Sequence, residues 1–217
     1  MINPKRLSLP LSRESVLALK AGDLVELSGE IVMTAGIPTH QRIIDFLRAG
    51  KPLPIDMTGG SLLHLGGLNQ EGPDGKASVA YLNPTTSTRF NRFMPEIIRG
   101  LDLRVTGGKG GLDAECAAAM RDTGCVYLSF LGGGCTLLSN ALREVTTVAW
   151  TDLLIHYRLV RVRVEGLGPA TVGIDAHGNS LYGDGEARAH ERLPSILKNL
   201  EDDRAVAASL LAERQEK

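Results

Sequence analysis

The sequence lacks the features that mark several specialised classes of protein. It has no run of about 18 apolar residues, which a membrane-spanning helix needs, and the segment from Met1 to Lys20 lacks the apolar core of a signal peptide. Its 24 basic and 25 acidic residues give a formal charge of -1, so the excess positive charge typical of nucleic-acid-binding proteins is absent. We therefore expect a cytoplasmic protein that binds neither a membrane nor nucleic acid.

Cysteine is also scarce. Cys116, Cys125 and Cys135 are the 3 cysteines, and their wide spacing fits neither a disulfide framework nor a CxxC metal clip. Buried structural thiols are the favoured interpretation, with metal ligation as the alternative. We expect no metal site in this chain.

What is present is the composition of an ordinary globular protein, with 217 residues, 43% hydrophobic and 23% charged. The apolar pattern predicts a strand over 22–33 and a helix over 38–47 that ends before Gly50. Residues 51–83 combine frequent Gly and Pro with short apolar pieces at 61–65 and 77–82, which predicts a β-rich insert.

From Arg89 onward, predicted helices and strands alternate, which favours βαβ crossovers and a largely parallel sheet. Two more strands, 159–165 and 170–175, are expected on either side of the turn at 166–169, followed by a helix over 193–214. We therefore expect an α/β fold, with residues 1–217 forming a single domain of mixed layers and 186–217 a C-terminal helical tail. The alternating elements are helices 90–99, 112–122 and 136–142 and strands 101–106, 125–130 and 145–150.

Two turns rich in hydroxyl groups and glycine each contain a cation. The first turn runs from Asn83 to Arg89, and the second, from Thr106 to Gly111, contains Lys109. Unpaired backbone N–H groups at such turns favour an anion, and a guanidinium with an ammonium suits a carboxylic acid. Both turns could face one crevice at the carboxyl ends of the strands. The alternative is structural: hydroxyls that cap a helix and glycines that turn the chain.

Nucleotide-binding motifs do not account for these turns. A phosphate-binding P-loop requires Gly six residues before its Lys and Ser or Thr after it, but Leu103 and Gly110 occupy these positions around Lys109. The run Gly132-Gly133-Gly134 has the wrong spacing for a dinucleotide fingerprint.

Several motifs, in their order along residues 5–185, resemble the iron-sulfur-dependent class I fumarate hydratases. The similarity is to their C-terminal domain, which is a separate β subunit in two-subunit fumarate hydratases and L-tartrate dehydratases. The most distinctive motifs are Pro84-Thr85-Thr86-Ser87-x-Arg89, Gly107-x-Lys109-Gly110 and His177-Gly178-Asn179-Ser180-Leu181-Tyr182.

The resemblance implies a swivelling β/β/α fold and a hydro-lyase that acts on a small dicarboxylic acid. It implies a [4Fe-4S] cluster bound by a partner α subunit, not by this chain, and a homo- or hetero-oligomer. It also implies roles for individual residues. Thr85, Lys109 and His40 would be catalytic, with Thr85 the base-like hydroxyl; Arg89, Thr86, Lys109 and Gly107 would bind substrate.

One segment departs from the family. Fumarate hydratases usually have Ala-Arg-Asp-Ala-Ala-His-Lys-Arg where this chain has residues 35–42, so Gly36 and Ile37 replace the Arg and Asp. The departure implies a different substrate, or a replacement cation such as Arg42 or an arginine of the partner.

Two other hypotheses are open at this point. The chain could be a stand-alone carboxylate-binding or regulatory module without catalysis, or a scaffold subunit with a vestigial pocket. The catalytic hypothesis requires a partner that carries the cluster, and the other two do not.

Overall fold

A computed structural model describes residues 3–71 and 77–215. These residues form two compact units, one up to Leu181 and one from Tyr182. The first unit contains nine strands and five helices among its described residues. They are β1 Lys5–Ser8, α1 Arg13–Leu17, β2 Leu24–Met33, α2 Ile37–Arg48, β3 Ser61–Leu63, β4 Leu65–Glu71, β5 Ala77–Pro84, α3 Met94–Gly100, β6 Val105–Gly108, α4 Ala114–Thr123, β7 Val126–Ser129, α5 Cys135–Ser139, β8 Leu142–Ala149 and β9 Leu159–Ile174, with 3₁₀ turns at Ser87–Phe90 and Ile155–Tyr157.

The main sheet has seven strands and closes into a barrel-like arrangement. Its strand order is β1-β2-β3-β6-β7-β9-β8, and β9 also pairs with β2, which completes a ring of β2, β3, β6, β7 and β9. Strands β2, β3, β6 and β7 are mutually parallel, so their carboxyl ends lie at one end of this ring. Strands β4 and β5 form a separate antiparallel hairpin. The fold is therefore mixed α/β, as expected.

Apolar side chains of the ring strands form the core. Val25, Leu27 and Ile31 of β2 alternate along the strand and are fully buried, and they pack with Val162 and Val172 of β9. This period of two is what a strand with one face on the core requires. The core thus holds together the strands whose ends carry the polar loops described below.

Several predicted elements are confirmed with small changes in their ends. The strand at 22–33, the helices at 38–47 and 112–122 and the strand at 125–130 correspond to β2, α2, α4 and β7. The apolar pieces at 61–65 and 77–82 are strands of β3, β4 and β5, and residues 72–76 of the predicted insert lie outside the described residues. Gly50 follows the end of α2 with a positive φ of 61°.

The predicted helix over 90–99 is wrong at its start. The chain first forms the 3₁₀ turn Ser87–Phe90, and α3 begins only at Met94, next to Pro95. Proline fits the first turn of a helix because that turn leaves its N–H groups unpaired. The strand predicted at 101–106 begins only at Val105, because Leu101–Arg104 forms the turn after α3.

The two strands predicted at 159–165 and 170–175 are one 16-residue strand, β9. The expected turn at Gly166–Pro169 is absent; instead, β9 passes through it with register shifts against β2. The same strand runs antiparallel to β2, β7 and β8, so the sheet is less parallel than predicted. Glycine and proline here mark irregular pairing rather than a chain reversal, which sequence patterns do not distinguish.

The second unit is formed by α6, which spans Leu181–Gln215 and starts twelve residues before the helix predicted from the apolar spacing. Leu193, Ile196, Leu197 and Leu200 are each about half exposed on it. None of the described helices is long and apolar enough to cross a membrane.

Candidate active site

The two predicted turns meet at the carboxyl ends of the parallel strands. The amide of Lys109 donates to the carbonyl of Thr85 at 3.0 Å, and the amide of Ser87 donates to the carbonyl of Lys109 at 2.8 Å. Thr86 and Lys109 thereby form an isolated parallel bridge. The two turns therefore come together, because these hydrogen bonds join the backbones of the two segments directly; that they face one crevice stays a prediction.

Arg89 and Lys109 supply the positive charge of this place. The guanidinium of Arg89 donates to the hydroxyl of Thr85 and, at 3.4 Å, to the carbonyl of Thr86. Neither cation has a carboxylate partner among the residues that the structure describes. In contrast, Arg48 and Arg99 each form an ion pair, with Glu96 and Asp122 respectively. The site therefore combines two cations with hydroxyl groups and has the charge to bind an anion.

A third loop reaches the same place. A Cβ added to Gly132 would lie 3.4 Å from Cδ of Lys109 and 3.9 Å from its Nζ, so the glycine run after β7 lies alongside this lysine side chain. The sequence excluded a dinucleotide fingerprint in this run and assigned it no other role. Its proximity to Lys109 follows from the pairing of β6 with β7.

The two glycines at the end of β6 are required by close packing. A Cβ on Gly107 would lie 2.6 Å from the carbonyl oxygen of Leu128, and a Cβ on Gly108 would overlap the hydroxyl of Ser87. The carbonyl of Gly107 already accepts a hydrogen bond of 2.6 Å from the amide of His64. The structure thus gives Gly107 a clear packing role, and its predicted contact with substrate stays a prediction.

His40 lies behind this site and is fully buried. Its Nδ1 is 2.7 Å from the carbonyl oxygen of Gly36, and its ring stacks on Phe90 with centroids 4.0 Å apart. Burial lowers the pKa of His40 to about 4, although the Gly36 carbonyl opposes this shift, so the ring is neutral near pH 7. No described hydrogen bond joins His40 to Thr85, Arg89 or Lys109. Its predicted catalytic role remains a prediction.

Two residues that were not identified from the sequence form the buried floor of this site, around the hydroxyl of Ser87. His64 and Tyr127 are fully buried, and both side chains lie within hydrogen-bond distance of the Ser87 hydroxyl, at 2.8 Å and 2.9 Å. Burial, and then the neighbouring His40, hold the pKa of His64 well below its usual value. The available signal was a histidine and a tyrosine within otherwise apolar strand segments, which is too common a pattern to single them out.

The departure at Gly36 has a structural cause. A Cβ on Gly36 would lie 2.7 Å from the Cβ and 2.9 Å from the Cα of Tyr157. The carbonyl of Tyr157 also accepts hydrogen bonds from the hydroxyls of Thr34 and Thr39, which hold this 3₁₀ turn against the start of α2. The backbone of residue 157 thus occupies the space into which a side chain at 36 would extend.

Arg42, the candidate replacement for the missing cation, already has a carboxylate partner, and its role as a replacement stays a prediction. Its guanidinium donates two hydrogen bonds, of 2.9 Å and 2.8 Å, to the carboxylate of Asp152, and it lies 5.4 Å from the ring centre of Trp150. The ion pair with Asp152 already neutralises it.

The closing motif of the sequence is a structural turn. The buried carboxylate of Asp175 accepts hydrogen bonds from the amides of Ala21, His177 and Asn179 and from the side chain of Asn179. Burial alone would raise the pKa of Asp175, but these donors outweigh it and lower the pKa. The exposed ring of His177 lies 3.0 Å from the carbonyl oxygen of Leu17. The motif therefore fastens the end of β9 to the N-terminal segment.

The family model described as Fumarase C-terminus matches residues 3–185. The chain belongs to the fumarase C-terminus family. Within this family, it is 29% identical over 196 residues to the L(+)-tartrate dehydratase subunit beta of Escherichia coli, covering 90% of this chain and 95% of that protein.

Two other members extend the comparison. A Methanocaldococcus jannaschii protein whose name assigns it to the same subunit is 34% identical over 188 residues, which cover 86% of this chain and 95% of the relative. A Geobacillus stearothermophilus protein named as a class I fumarate hydratase is 29% identical over 187 residues, which are 86% of this chain but 35% of that longer protein. The names of these fumarase C-terminus relatives denote hydro-lyases, and the resemblance seen in the motifs is thereby confirmed.

Proposed function

We propose that this chain is the β subunit of a hydro-lyase that reversibly hydrates or dehydrates a small dicarboxylic acid of the tartrate, malate or fumarate type. The observation that carries the proposal is a pair of cations, Arg89 and Lys109, that have no carboxylate partner among the described residues and lie on two loops joined by backbone hydrogen bonds. A dicarboxylate supplies the negative charge that these groups lack. The tartrate dehydratase β subunits among its relatives support this substrate class.

In this proposal Arg89 binds one substrate carboxylate, because a guanidinium can donate two parallel hydrogen bonds to it. Lys109 and Thr86, which pair in the backbone bridge, hold the second polar end of the substrate. Gly107 supports this arrangement because its lack of a side chain allows the close packing described above. The exclusion of a side chain at Gly36 favours a substrate bound without a cation at that position.

Thr85 is the proposed proton-transfer group. A threonine hydroxyl is a weak base in water, but a positive charge beside it favours its ionised form. The contact between the Arg89 guanidinium and the Thr85 hydroxyl provides such a charge. His40 contributes as a neutral, buried member of the site wall.

The residues that the structure describes do not fit an iron-sulfur cluster. Among the described residues, no three His, Cys, Asp or Glu side chains come together as a metal site. Burial raises the pKa values of Cys116 and Cys125, which opposes the thiolate form that iron requires. We therefore propose that an α subunit holds the [4Fe-4S] cluster and completes the active site in a hetero-oligomer.

The family match that ends at residue 185 supports one family domain of swivelling β/β/α type with residues 186–217 as an added helical tail. A cytoplasmic location, expected from the sequence, belongs to the same proposal.

An anaerobic co-purification tests the function directly. The tagged chain is isolated from extract of its own cells, iron and sulfide in the eluate are measured, and turnover of L(+)-tartrate, malate, fumarate and mesaconate is assayed. The proposal expects co-elution of a protein with about four irons per heterodimer and turnover of at least one acid. A matched preparation of the Arg89→Met variant should retain the partner and lose turnover.

An iron-free, inactive chain that still binds a dicarboxylate, measured by calorimetry, would replace the proposal with the stand-alone binding module. An inactive chain without any carboxylate binding would indicate a vestigial scaffold.

A further inference from the structure

Ser87 differs from the other hydroxyl residues of its motif. Thr85 and Thr86 are partly exposed, whereas Ser87 is fully buried. Its side chain therefore has no access to a substrate. The hydroxyl instead lies between two buried polar side chains, His64 at 2.8 Å and Tyr127 at 2.9 Å.

These groups form a continuous hydrogen-bond chain. The amide of Gly111 donates to the Tyr127 oxygen at 3.3 Å, and the Tyr127 hydroxyl donates to Ser87. Nδ1 of His64 lies 2.8 Å from the same Ser87 hydroxyl and completes its hydrogen bonding. The chain ends at Nε2 of His64, which is buried and has no hydrogen-bond partner among the described residues.

Packing leaves this chain no alternative arrangement nearby. The absence of a side chain at Gly108 provides the space for the Ser87 hydroxyl. The ring of Phe90 packs against two histidine rings. The ring centroids of Phe90 and His64 are 4.5 Å apart, and those of Phe90 and His40 are 4.0 Å apart. A buried hydrogen-bonded group in a close-packed surrounding is held in one rotamer.

The hydrogen-bond chain connects the segment that carries Thr85, Thr86 and Arg89 with the segment that carries Lys109. Ser87 lies two residues from both Thr85 and Arg89, and its own amide donates to the carbonyl of Lys109. His64 follows β3, and Tyr127 lies on β7. We propose that Ser87 is a positioning residue whose buried hydroxyl, held by Tyr127 and His64, fixes the segment bearing Thr85 and Arg89 against the segment bearing Lys109. The expected effect on catalysis rests on the proposed function. The structural role of Ser87 does not.

Two variants test the positioning role in the assembled enzyme. Ser87→Ala removes the hydroxyl, and Tyr127→Phe removes its donor while keeping the ring. We expect Ser87→Ala to lower kcat roughly 10- to 100-fold, with a smaller change in KM, because small displacements of reacting groups cost about that much. The double variant should be no slower than the slower single variant, since both act through one hydrogen bond.

Ser139→Ala is the matched control. The Ser139 hydroxyl also joins two segments, since it accepts from the amide of Leu82 at 2.9 Å and donates to the carbonyl of Cys135 at 2.5 Å. Its loss should lower the melting temperature to a similar degree and leave kcat unchanged. A purely structural role for Ser87 would give the same result as this control, which would overturn the proposal.

Amide hydrogen exchange on the intact chain provides a test that needs no turnover. Ser87→Ala should speed exchange at the amides of Thr85, Ser87 and Lys109 together, and Ser139→Ala should not. If exchange at these three amides is unchanged, the positioning role is wrong even where the hydro-lyase is active. If exchange responds but no dicarboxylate is turned over, the buried chain is upheld and the proposed function fails.

Discussion

The two most distinctive motifs of the sequence have opposite roles in the structure. In the run at 84–89, the cation of Arg89 has no carboxylate partner among the described residues. In the turn at 175–180, four donors satisfy the carboxylate of Asp175. A distinctive motif therefore marks a binding site only where its polar groups remain available to a ligand. Where those groups are hydrogen-bonded within the chain, the motif has a structural role and holds two segments together.

The first prediction affects the chemistry at the first motif. Thr85→Val keeps the shape of the side chain and removes its hydroxyl. We expect kcat of the assembled enzyme to fall roughly 10²- to 10⁴-fold, which is the usual contribution of a proton-transfer group, with little change in KM. Thr88→Val, at an exposed hydroxyl in the same run, is the matched control. Equal kcat values for the two variants would remove Thr85 from proton transfer.

The second prediction concerns binding at the same motif. Arg89→Met should lower kcat/KM by roughly 10²- to 10³-fold, since one substrate carboxylate loses its charged partner, a loss of about 3 to 4 kcal/mol. Arg99→Met is the control, because Arg99 pairs with Asp122 on the surface. Steady-state kinetics of the two variants, with subunit assembly checked by gel filtration, measure the difference. Equal kinetics would show that Arg89 has a structural role only.

The third prediction concerns the removal of Asp175 from the turn at 175–180. Asp175→Ala leaves three backbone amides and one side-chain amide without their acceptor, and we expect a loss of about 2 to 4 kcal/mol in the free energy of unfolding. Turnover per folded molecule should stay near the wild-type value. Asp152→Ala, which removes an exposed partner of Arg42, should cost less than about 1 kcal/mol. Denaturant unfolding compares the two; a greater loss in Asp152→Ala would contradict the structural role of this turn.

The fourth prediction concerns the buried floor of the first motif. The pKa of His40 is lowered to about 4 by burial, whereas the unfolded chain has the usual value near 6.5. Between these values the unfolded state binds a proton that the folded state does not, so stability is complete above about pH 6.5 and falls as the pH drops toward 4. From His40 alone we expect about 2 kcal/mol less stability at pH 5 than at pH 8.

His40→Leu should make this dependence shallower in unfolding curves measured across the pH range, and His64, whose pKa is also lowered by burial, should account for the acid loss that remains. His190→Gln, at an exposed position of α6, should leave the dependence unchanged. An equally steep acid loss in His40→Leu and the wild type would mean that His40 is not the titrating group.

The smallest effect is expected at His177, the histidine of the closing motif. Its ring is exposed and makes a single described hydrogen bond, to Leu17. His177→Ala should therefore change stability by less than about 1 kcal/mol and leave kinetics unchanged. A large loss of turnover in the assembled enzyme would show that this motif also reaches the active site, and would remove the contrast between the two motifs.

Sequence patterns were enough to predict the class of the fold, helices such as α2 and α4, and the two turns that carry Thr85, Arg89 and Lys109. Periods of 2 and 3.6 identify β2 and α2 because burial of one face is a local property of the sequence. The cations and hydroxyls of the two turns are likewise visible because their chemistry does not depend on the fold.

Which of these groups contact one another, and which already have hydrogen-bond or ion-pair partners within the chain, depends on the tertiary structure. The continuity of β9, the exclusion of a side chain at Gly36 by Tyr157 and the ion pair of Arg42 depend on residues distant in sequence. The same holds for Ser87, whose motif indicated a ligand contact and whose hydroxyl is buried between His64 and Tyr127. The physical reason is that burial and hydrogen-bond partners come from strand pairing across the barrel, which no local pattern specifies.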